Sequence, residues 1–195
     1  MLQSSADNRF TLLFVCQANL CRSPMAERLA RLRLARDGAT GVDVMSAGTR
    51  ALEGSPMHPV AMRVLAERGA DPADFTSRQV TEKVLDGADL VLTATRHQRA
   101  VCVSMLPEMV GCTFTLRQFG RMVAAARRGD TVDNGPDALR ERMRRAVAAR
   151  AILQPVAPED DDLADPVRDP IEAFRRCADA IDHILDGVLG RLIAR

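Results

Sequence analysis

Four short apolar runs alternate with stretches of helical periodicity between the start of the chain and Leu116. Runs of this length are typical of buried strands, since helices usually need about ten residues or more. The predicted strands are Phe10 to Val15, Val42 to Ala47, Ala88 to Ala94 and Cys112 to Leu116, and the predicted helices are Pro24 to Arg36, Pro59 to Arg68 and a stretch that ends near Leu106. Strands joined through helices form crossover units, so the pattern predicts a three-layer α/β fold, with a four-stranded parallel sheet and helices on both faces.

The rest of the chain has a different pattern. Two helices rich in arginine and alanine are predicted at Gln118 to Arg128 and Pro136 to Ile152, on either side of the turn-forming run GDTVDNG. An acidic, proline-containing loop, Pro155 to Pro166, then leads into a final helix from about Pro170 to Ala194 that carries an apolar stripe. We therefore predict a single domain over residues 1–195 with a helical insertion at about 120–158.

Composition narrows the functional classes. A formal net charge of +1 over 195 residues argues against a nucleic-acid-binding protein, because binding the phosphate backbone needs a surplus of positive charge. No apolar window is long enough to cross a membrane, and Met1 to Arg9 is polar, so we expect a cytoplasmic protein without membrane insertion. The cysteine count of five is odd and indicates reduced thiols rather than a disulfide framework.

The segment CQANLCRSP, Cys16 to Pro24, occupies the first strand-to-helix turn. In an open parallel sheet this turn brings backbone N–H groups and the helix dipole together on an anion. The same dipole, together with Arg22, would stabilise a thiolate on Cys16. Cys16 is therefore the candidate nucleophile.

Arg22 follows Cys16 by six positions, which leaves a five-residue loop that can wrap around a tetrahedral anion. The planar guanidinium can donate two parallel hydrogen bonds to phosphate oxygens. Ser23 could donate a hydrogen bond to the thiolate and help it leave, and Asn19 could brace the loop through its amide. No metal-ligand spacing occurs in the sequence, so neither a metal nor a cofactor is predicted.

These residues resemble a known family. CQANLCRSPMAE is similar to the phosphate-binding loop of the low-molecular-weight protein tyrosine phosphatases, whose pattern is Cys-x-Gly-Asn-x-Cys-Arg-Ser-Pro. The segments SAGT, SRQV, ADLVLT and a late DP pair also fall where the family has similar segments. The resemblance covers most of the chain outside the predicted insertion, and it implies the flavodoxin-like fold of phosphotyrosine phosphatase I type, in a bacterial member.

The resemblance also implies a reaction. Cys16 would attack the phosphorus of a phosphotyrosine while Asp165 protonates the leaving phenolate, and Asp165 would then act as the base that activates water. The phosphate-binding positions carried over from the family are Gln17, Ala18, Asn19, Leu20, Cys21, Arg22 and Ser23. The implied partner is a tyrosine-phosphorylated protein, for example a bacterial tyrosine kinase.

Two DP pairs compete for the role of general acid. The family spacing, counted back from IEAF, favours Asp165. Asp169 and Pro170 are more simply interpreted as the cap and first turn of the last helix.

Three positions depart from the family pattern. Ala18 replaces a loop glycine and would be strained if that position needs a positive φ. Val167 replaces the aromatic residue after DP, and Phe75 replaces a histidine of the loop network. With Leu52, which the resemblance places in the substrate pocket beside Val167, these changes predict an altered ring pocket.

Three alternatives stay open on the sequence. Cys21 is either core packing or a redox partner that forms a reversible disulfide with Cys16. An arsenate reductase of the same fold would need a pair of relay cysteines, but Thr95 stands seven positions before Cys102 where the first is expected. A catalytically weak protein that binds phosphorylated ligands is the third alternative.

Overall fold

The computed structural model describes residues 9–127 and 133–193. Its strands are β1 (Phe10–Cys16), β2 (Val42–Gly48), β3 (Leu90–Thr93) and β4 (Thr113–Thr115). They form one parallel sheet in the order β2-β1-β3-β4, with Phe14 of β1 beside Ser46 of β2 and Leu92 of β3. This order is that of doubly wound, flavodoxin-like sheets, which confirms the predicted fold class.

Eight α-helices connect and cover the strands in the described ranges. They are α1 (Arg22–Arg36), α2 (Pro59–Glu67), α3 (Glu82–Asp86), α4 (Arg96–Met105), α5 (Leu116–Ala125), α6 (Pro136–Ala148), α7 (Pro158–Asp161) and α8 (Ile171–Leu192), with 3₁₀ turns at Pro107–Gly111 and Ala149–Ile152. Among the described helices none is long and apolar enough to span a membrane.

Alternate residues of β1 enter two separate cores. Leu12 and Phe14 pack into the larger core with α1, α2, α5 and α8, whereas Leu13 and Val15 pack into a smaller core with α3 and α4. Because side chains alternate along a strand, both faces of β1 are buried, as its continuous apolar run predicts.

Several element boundaries differ from the prediction. The third strand starts at Leu90 rather than Ala88, and the short helix α3 was not predicted. Helix α5 follows β4 directly, because the Thr115 hydroxyl accepts a hydrogen bond from the Gln118 N–H and caps the helix. Arg128 and Ala194, the predicted ends of two helices, lie outside the described residues, as does most of the GDTVDNG turn.

Helices α5 and α6 belong to the layer that covers the larger core. Phe119 and Met122 of α5 are completely buried, and Leu139 and Ala146 of α6 are almost so. The acidic segment before the last helix contains α7, and its Leu163 N–H donates to Ala94 O just past β3. This bond brings the segment to the edge of the sheet where the strands end.

Candidate active site

The predicted phosphate loop lies where β1 ends and α1 begins. Cys16 is the last residue of β1, and Arg22 is the first residue of α1. Strand β1 lies between β2 and β3, so the loop is at the point where the chain connections diverge to opposite sides. This is the position at which open α/β sheets bind ligands.

A buried hydrogen-bond network supports the thiol. The Ser23 hydroxyl oxygen lies 3.0 Å from Cys16 Sγ and can donate to it. The Asn19 amide donates to Ser23 Oγ at 2.9 Å and to Ser46 Oγ at 2.8 Å. Ser23 and Asn19 thus stand in the places that their predicted roles require.

The network continues to residues that sequence reasoning missed. The Ser46 hydroxyl donates to Glu27 Oε2 at 2.5 Å, and the other Glu27 oxygen pairs with Arg31 at 2.9 Å. Glu27 is only 5% exposed, and it follows Ser23 by four positions on the same face of α1. That spacing was the signal in the sequence, since a carboxylate on the buried face of a helix requires a partner.

The backbone of the loop shows whether Ala18 meets the condition for strain. The residue with positive φ is Asn19, at 56°, and not Ala18, so the alanine that replaces the family's glycine carries no such strain. Asparagine tolerates this left-handed conformation better than most residues.

Gly48, at the end of β2, is another residue that sequence reasoning did not single out. A Cβ atom there would lie 2.6 Å from Gln17 O and 2.8 Å from Asn19 N, far inside van der Waals contact. The next two N–H groups, of Thr49 and Arg50, donate to Cys16 O and Gln17 O. The loop backbone therefore rests directly on Gly48, and the glycine of SAGT was the visible signal.

Arg22 links the loop to the segment that carries the predicted acid. Its Nη2 donates to Asp165 Oδ2 at 2.5 Å, and its Nη1 donates to Leu163 O at 3.0 Å. The Arg22 side chain is 5% exposed, whereas that of Asp165 is 37% exposed. The Arg22 Nε is buried and has no hydrogen-bond partner in the described part of the protein.

Asp169 does not cap the last helix, contrary to the prediction. The residue preceding the first turn of α8 is Pro170, and no side chain caps that end. The Asp169 N–H instead donates to Pro166 O at 2.8 Å, which forms a turn ahead of the helix.

We call Leu52 and Val167, the two residues that the family resemblance implies in the substrate pocket, the cleft rim. Leu52 is 78% exposed and lies two positions after Arg50, whose N–H is bonded to the loop. Val167 is 39% exposed and lies two positions after Asp165. Phe75 lies outside the loop network, with its ring 5.8 Å from the Arg28 guanidinium. The side-chain oxygen of Asn19, Oδ1, accepts instead from the Arg78 N–H at 2.8 Å.

Two further thiols lie close to the site, and no two cysteines are joined in a disulfide. Burial, followed by the negative charges of Asp165 and Cys16, raises the pKa of Cys21 to about 12. Burial likewise raises the pKa of Cys177 on α8 to about 12, and this thiol also experiences the charges of Arg22 and Asp165. Both are neutral thiols at pH 7. Within residues 9–127 and 133–193, no group of His, Cys, Asp and Glu side chains is arranged to hold a metal ion.

Comparison with known proteins shows which family the chain is similar to. The family model described as low molecular weight phosphotyrosine protein phosphatase matches residues 11–133. A protein-arginine-phosphatase of Geobacillus stearothermophilus is 32% identical over 94% of this chain and 96% of that protein. The probable low molecular weight protein-tyrosine-phosphatase EpsP of Ralstonia nicotianae is 40% identical over 54% of this chain and 70% of that protein. An arsenate reductase of Brevibacillus brevis is 35% identical over 49% of this chain and 66% of that protein.

The solved structure of a low molecular weight protein tyrosine phosphatase from T. tengcongensis is similar over 92% of this chain and 97% of that chain, with a TM-score of 0.69 and 28% identity. The fold and the matched sequence together define a phosphatase. The chain belongs to the low-molecular-weight phosphotyrosine protein phosphatase family, which confirms the resemblance found in its loop.

Proposed function

We propose that the protein hydrolyses phosphotyrosine in a protein substrate through a phosphocysteine on Cys16. The observation that carries the proposal is the convergence of Cys16, Arg22 and Asp165, with Ser23 3.0 Å from the Cys16 sulfur and Arg22 bonded to Asp165. The unpartnered Arg22 Nε adds a donor for a phosphoryl oxygen. We place the activity in the cytosol, where the five free cysteines would stay reduced.

In the first step, the Cys16 sulfur forms a bond to phosphorus while the bond from phosphorus to the tyrosine oxygen breaks. Asp165 gives its proton to the departing phenolate. Arg22 exchanges its bond to Asp165 for bonds to the phosphoryl oxygens, where its planar donors match two oxygens at once. The loop N–H groups and the dipole of α1 stabilise the developing negative charge.

In the second step, the Asp165 carboxylate takes a proton from a water molecule whose oxygen attacks phosphorus. The sulfur–phosphorus bond breaks, inorganic phosphate leaves, and Cys16 returns as a thiolate that Ser23 stabilises by hydrogen bonding. No metal ion is required, because arginine and the loop amides supply the electrostatic stabilisation.

Two observations favour Asp165 over Asp169 as the acid. The Asp165 carboxylate bonds to the same arginine that begins α1, whereas the exposed Asp169 makes a backbone turn through its N–H. The segment before Asp165 is also fixed to the loop, because Arg22 donates to Leu163 O. A general acid must be held within reach of the leaving group.

A protein phosphoarginine is the second candidate substrate. The observation that favours it is the relative named protein-arginine-phosphatase, which matches nearly the whole length of this chain. The same residues would serve, since the sulfur would attack phosphorus and Asp165 would protonate a nitrogen leaving group. The aliphatic residues of the cleft rim, Leu52 and Val167, offer no aromatic ring to stack on phosphotyrosine.

The arsenate reductase alternative lacks the relay that it needs. Thr95 caps α4 by accepting from Gln98 N–H, and no thiol stands at that position. Cys102 belongs to the smaller core, on the opposite face of the sheet from the core that contains Cys16. Burial raises the pKa of Cys102 to about 12, so it is a poor nucleophile at neutral pH.

The test compares substrates and variants of the purified protein. We expect hydrolysis of nitrophenyl phosphate and of a phosphotyrosine peptide, none by Cys16→Ser, and a loss of about a hundredfold or more in Asp165→Asn. Asp169→Asn is the matched control and should stay within about twofold of the wild type. A phosphoarginine peptide turned over faster than the phosphotyrosine peptide would select the second candidate.

Two results would contradict the proposed phosphatase activity. If the wild type is as inactive as Cys16→Ser on both peptides but binds them, the protein is a phospho-ligand-binding protein. Arsenate-dependent consumption of an added thiol, lost in Cys16→Ser, would restore the reductase alternative.

We also propose Cys21 as the thiol that protects Cys16 from overoxidation. Peroxide would convert the Cys16 thiolate to a sulfenic acid, and the Cys21 thiol would then form a disulfide with it and release water. We expect peroxide-treated wild type to regain activity with dithiothreitol and Cys21→Ser to regain less. Equal recovery would make Cys21 a packing residue.

A further inference from the structure

A second arginine-rich site lies beside the acid-bearing segment. A cavity of about 430 Å³ opens between α4, α5, the 3₁₀ turn Ala149–Ile152 and α7, and its lining includes Arg96, Arg99, Arg121, Arg150 and Asp161. We propose that this arginine cavity binds a second phosphoryl group carried by the substrate protein near the residue that is dephosphorylated. The inference rests on the proposed function, since it assigns the cavity to the same substrate.

The lining has an excess of positive charge. Its four arginines and one aspartate give a formal net charge of +3. The buried Asp161 already pairs with two of the arginines, Arg96 at 2.6 Å and Arg121. Arg99 and Arg150 have no carboxylate partner within residues 9–127 and 133–193, so two guanidinium groups remain for an external anion.

The arginines that line the cavity have donors to spare for an anionic ligand. Arg99 uses its Nε on Thr113 O at 2.7 Å, which holds the side chain in place and leaves its terminal nitrogens available. Burial, followed by the nearby charge of Arg150, lowers the pKa of Arg99, and the charge of Asp161 opposes this shift only in part, so Arg99 and Arg150 repel each other. The Arg121 Nε is buried without a hydrogen-bond partner among the described residues. An anion between these groups would relieve the repulsion and satisfy the donors.

Two nearby acidic residues do not occupy the cavity, so an anionic ligand can enter it. Glu159 and Asp160 of α7 are exposed and do not line it. A phosphoryl group fits better than a single carboxylate, because it carries nearly two negative charges and three acceptor oxygens for arginine forks. The chain's net charge of +1 disfavours a nucleic acid as the source of the phosphate.

Only three residues of the chain separate the cavity from the catalytic site. Asp161 lines the cavity and Asp165 bonds to Arg22, so their α-carbons are at most about 14 Å apart. Between them, Asp162 accepts from the Arg96 N–H and Leu163 donates to Ala94 O. One extended segment of a substrate protein can therefore reach both sites at once.

The test uses peptides with one phosphotyrosine and one variable position, placed two to six residues before or after it. The variable residue is serine, phosphoserine or glutamate. At the best spacing we expect the phosphoserine peptide to have a kcat/KM about tenfold above that of the serine peptide, through a lower KM. The glutamate peptide should gain clearly less.

The variant Arg99→Gln/Arg150→Gln should lose this preference and keep its activity on nitrophenyl phosphate. Arg63→Gln/Arg144→Gln is the matched control, because it removes two exposed arginines that do not line the cavity. Thermal unfolding of both double variants shows whether the fold is intact. We expect the control to keep the tenfold preference.

The proposal is overturned if no spacing gives a preference above about twofold, if the preference survives in Arg99→Gln/Arg150→Gln, or if glutamate serves as well as phosphoserine. A peptide with phosphoserine alone separates this outcome from failure of the proposed function. Its binding to Cys16→Ser, measured by calorimetry, should weaken about tenfold on adding the Arg99→Gln/Arg150→Gln pair. That measurement decides the question even if no phosphotyrosine peptide is hydrolysed.

Discussion

The phosphate loop and the cleft rim are held by the protein in opposite ways. In the loop, Asn19, Cys21, Arg22 and Ser23 are at most 4% exposed, and the loop backbone rests on Gly48. In the rim, Leu52 is 78% and Val167 is 39% exposed. The buried part of the loop is therefore fixed by the core of the molecule, whereas the two rim residues keep a larger part of their surface exposed to solvent.

Because of this difference, we expect the loop to determine reactivity and the rim to influence substrate specificity. A network that is buried and satisfied holds its members in one arrangement, because breaking any bond leaves a polar group without water. Exposed aliphatic side chains lose little when they are changed. We expect substitutions under the loop to affect turnover on every substrate, and substitutions in the rim to have small effects that depend on the substrate.

Gly48→Ala should give the largest effect. The added methyl group would lie 2.6 Å from Gln17 O, a backbone atom that cannot rotate away, so the loop must shift. A displacement of about 1 Å at a catalytic centre can cost about a hundredfold in rate, and we expect at least that loss in kcat/KM on nitrophenyl phosphate. Gly187→Ala in α8, where nothing lies within 4 Å, is the control and should keep full activity. Normal turnover by Gly48→Ala would mean that the loop is far less constrained than its packing indicates.

Asn19→Ala should have the next largest effect. It removes three hydrogen bonds, to Ser23, Ser46 and the Arg78 N–H, each contributing about 1 kcal/mol. We expect about 3 kcal/mol lower stability in urea unfolding and at least a tenfold loss of kcat.

Asn19→Gly distinguishes backbone strain from hydrogen bonding. It loses the same bonds but accepts the positive φ of 56° without a Cβ penalty, so it should be about 1 kcal/mol more stable than the alanine variant. Equal stability of wild type and alanine variant would refute the role of the network.

The sequence predicts those features of the site that local patterns determine, and it misses those that depend on contacts between distant parts of the chain. The strands, the turn and the arrangement of Cys16, Arg22 and Ser23 could be predicted because local patterns determine them. Ser46 and Gly48 were missed because their roles depend on pairing between β1 and β2, which brings distant parts of the chain together. Glu27 was missed because its partner Ser46 lies on β2, distant from α1 in the sequence. Whether Ala18 is strained could not be predicted, because spacing along a loop does not specify which residue takes the left-handed conformation.

The dependence of the unfolding free energy on alkaline pH should show a smaller effect, and it tests how deeply the loop residue Cys21 is buried. The folded state holds Cys21, Cys102 and Cys177 at pKa values of about 12, against 9.0 for an ordinary thiol. The unfolded chain therefore releases these protons first as pH rises, so stability is unaffected below pH 9 and falls between pH 9 and 12. Each thiol should contribute a fall of about 1.4 kcal/mol per pH unit. The chain has no tyrosine and a single lysine, so few other groups titrate in this window.

Urea unfolding at pH 8, 9.5 and 10.5 measures this slope. Cys102→Ala, in the smaller core, and Cys21→Ala, in the loop, should each reduce the slope by about one thiol's share. If Cys102→Ala reduces the slope and Cys21→Ala does not, the Cys21 thiol ionises readily in the folded protein. That result would contradict the idea that the loop is as buried as the core.

Leu52→Ala should give the smallest effect. Because the residue is already 78% exposed, truncation removes little buried apolar surface, so we expect kcat/KM on nitrophenyl phosphate to change by less than about threefold. Val110→Ala, which is also exposed and lies in the 3₁₀ turn after α4, controls for a general effect on stability. A loss of tenfold or more on a phosphotyrosine peptide, with nitrophenyl phosphate unaffected, would mean that Leu52 closes over the bound peptide. The rim would then become ordered by its substrate, and the contrast with the loop would hold only for the free enzyme.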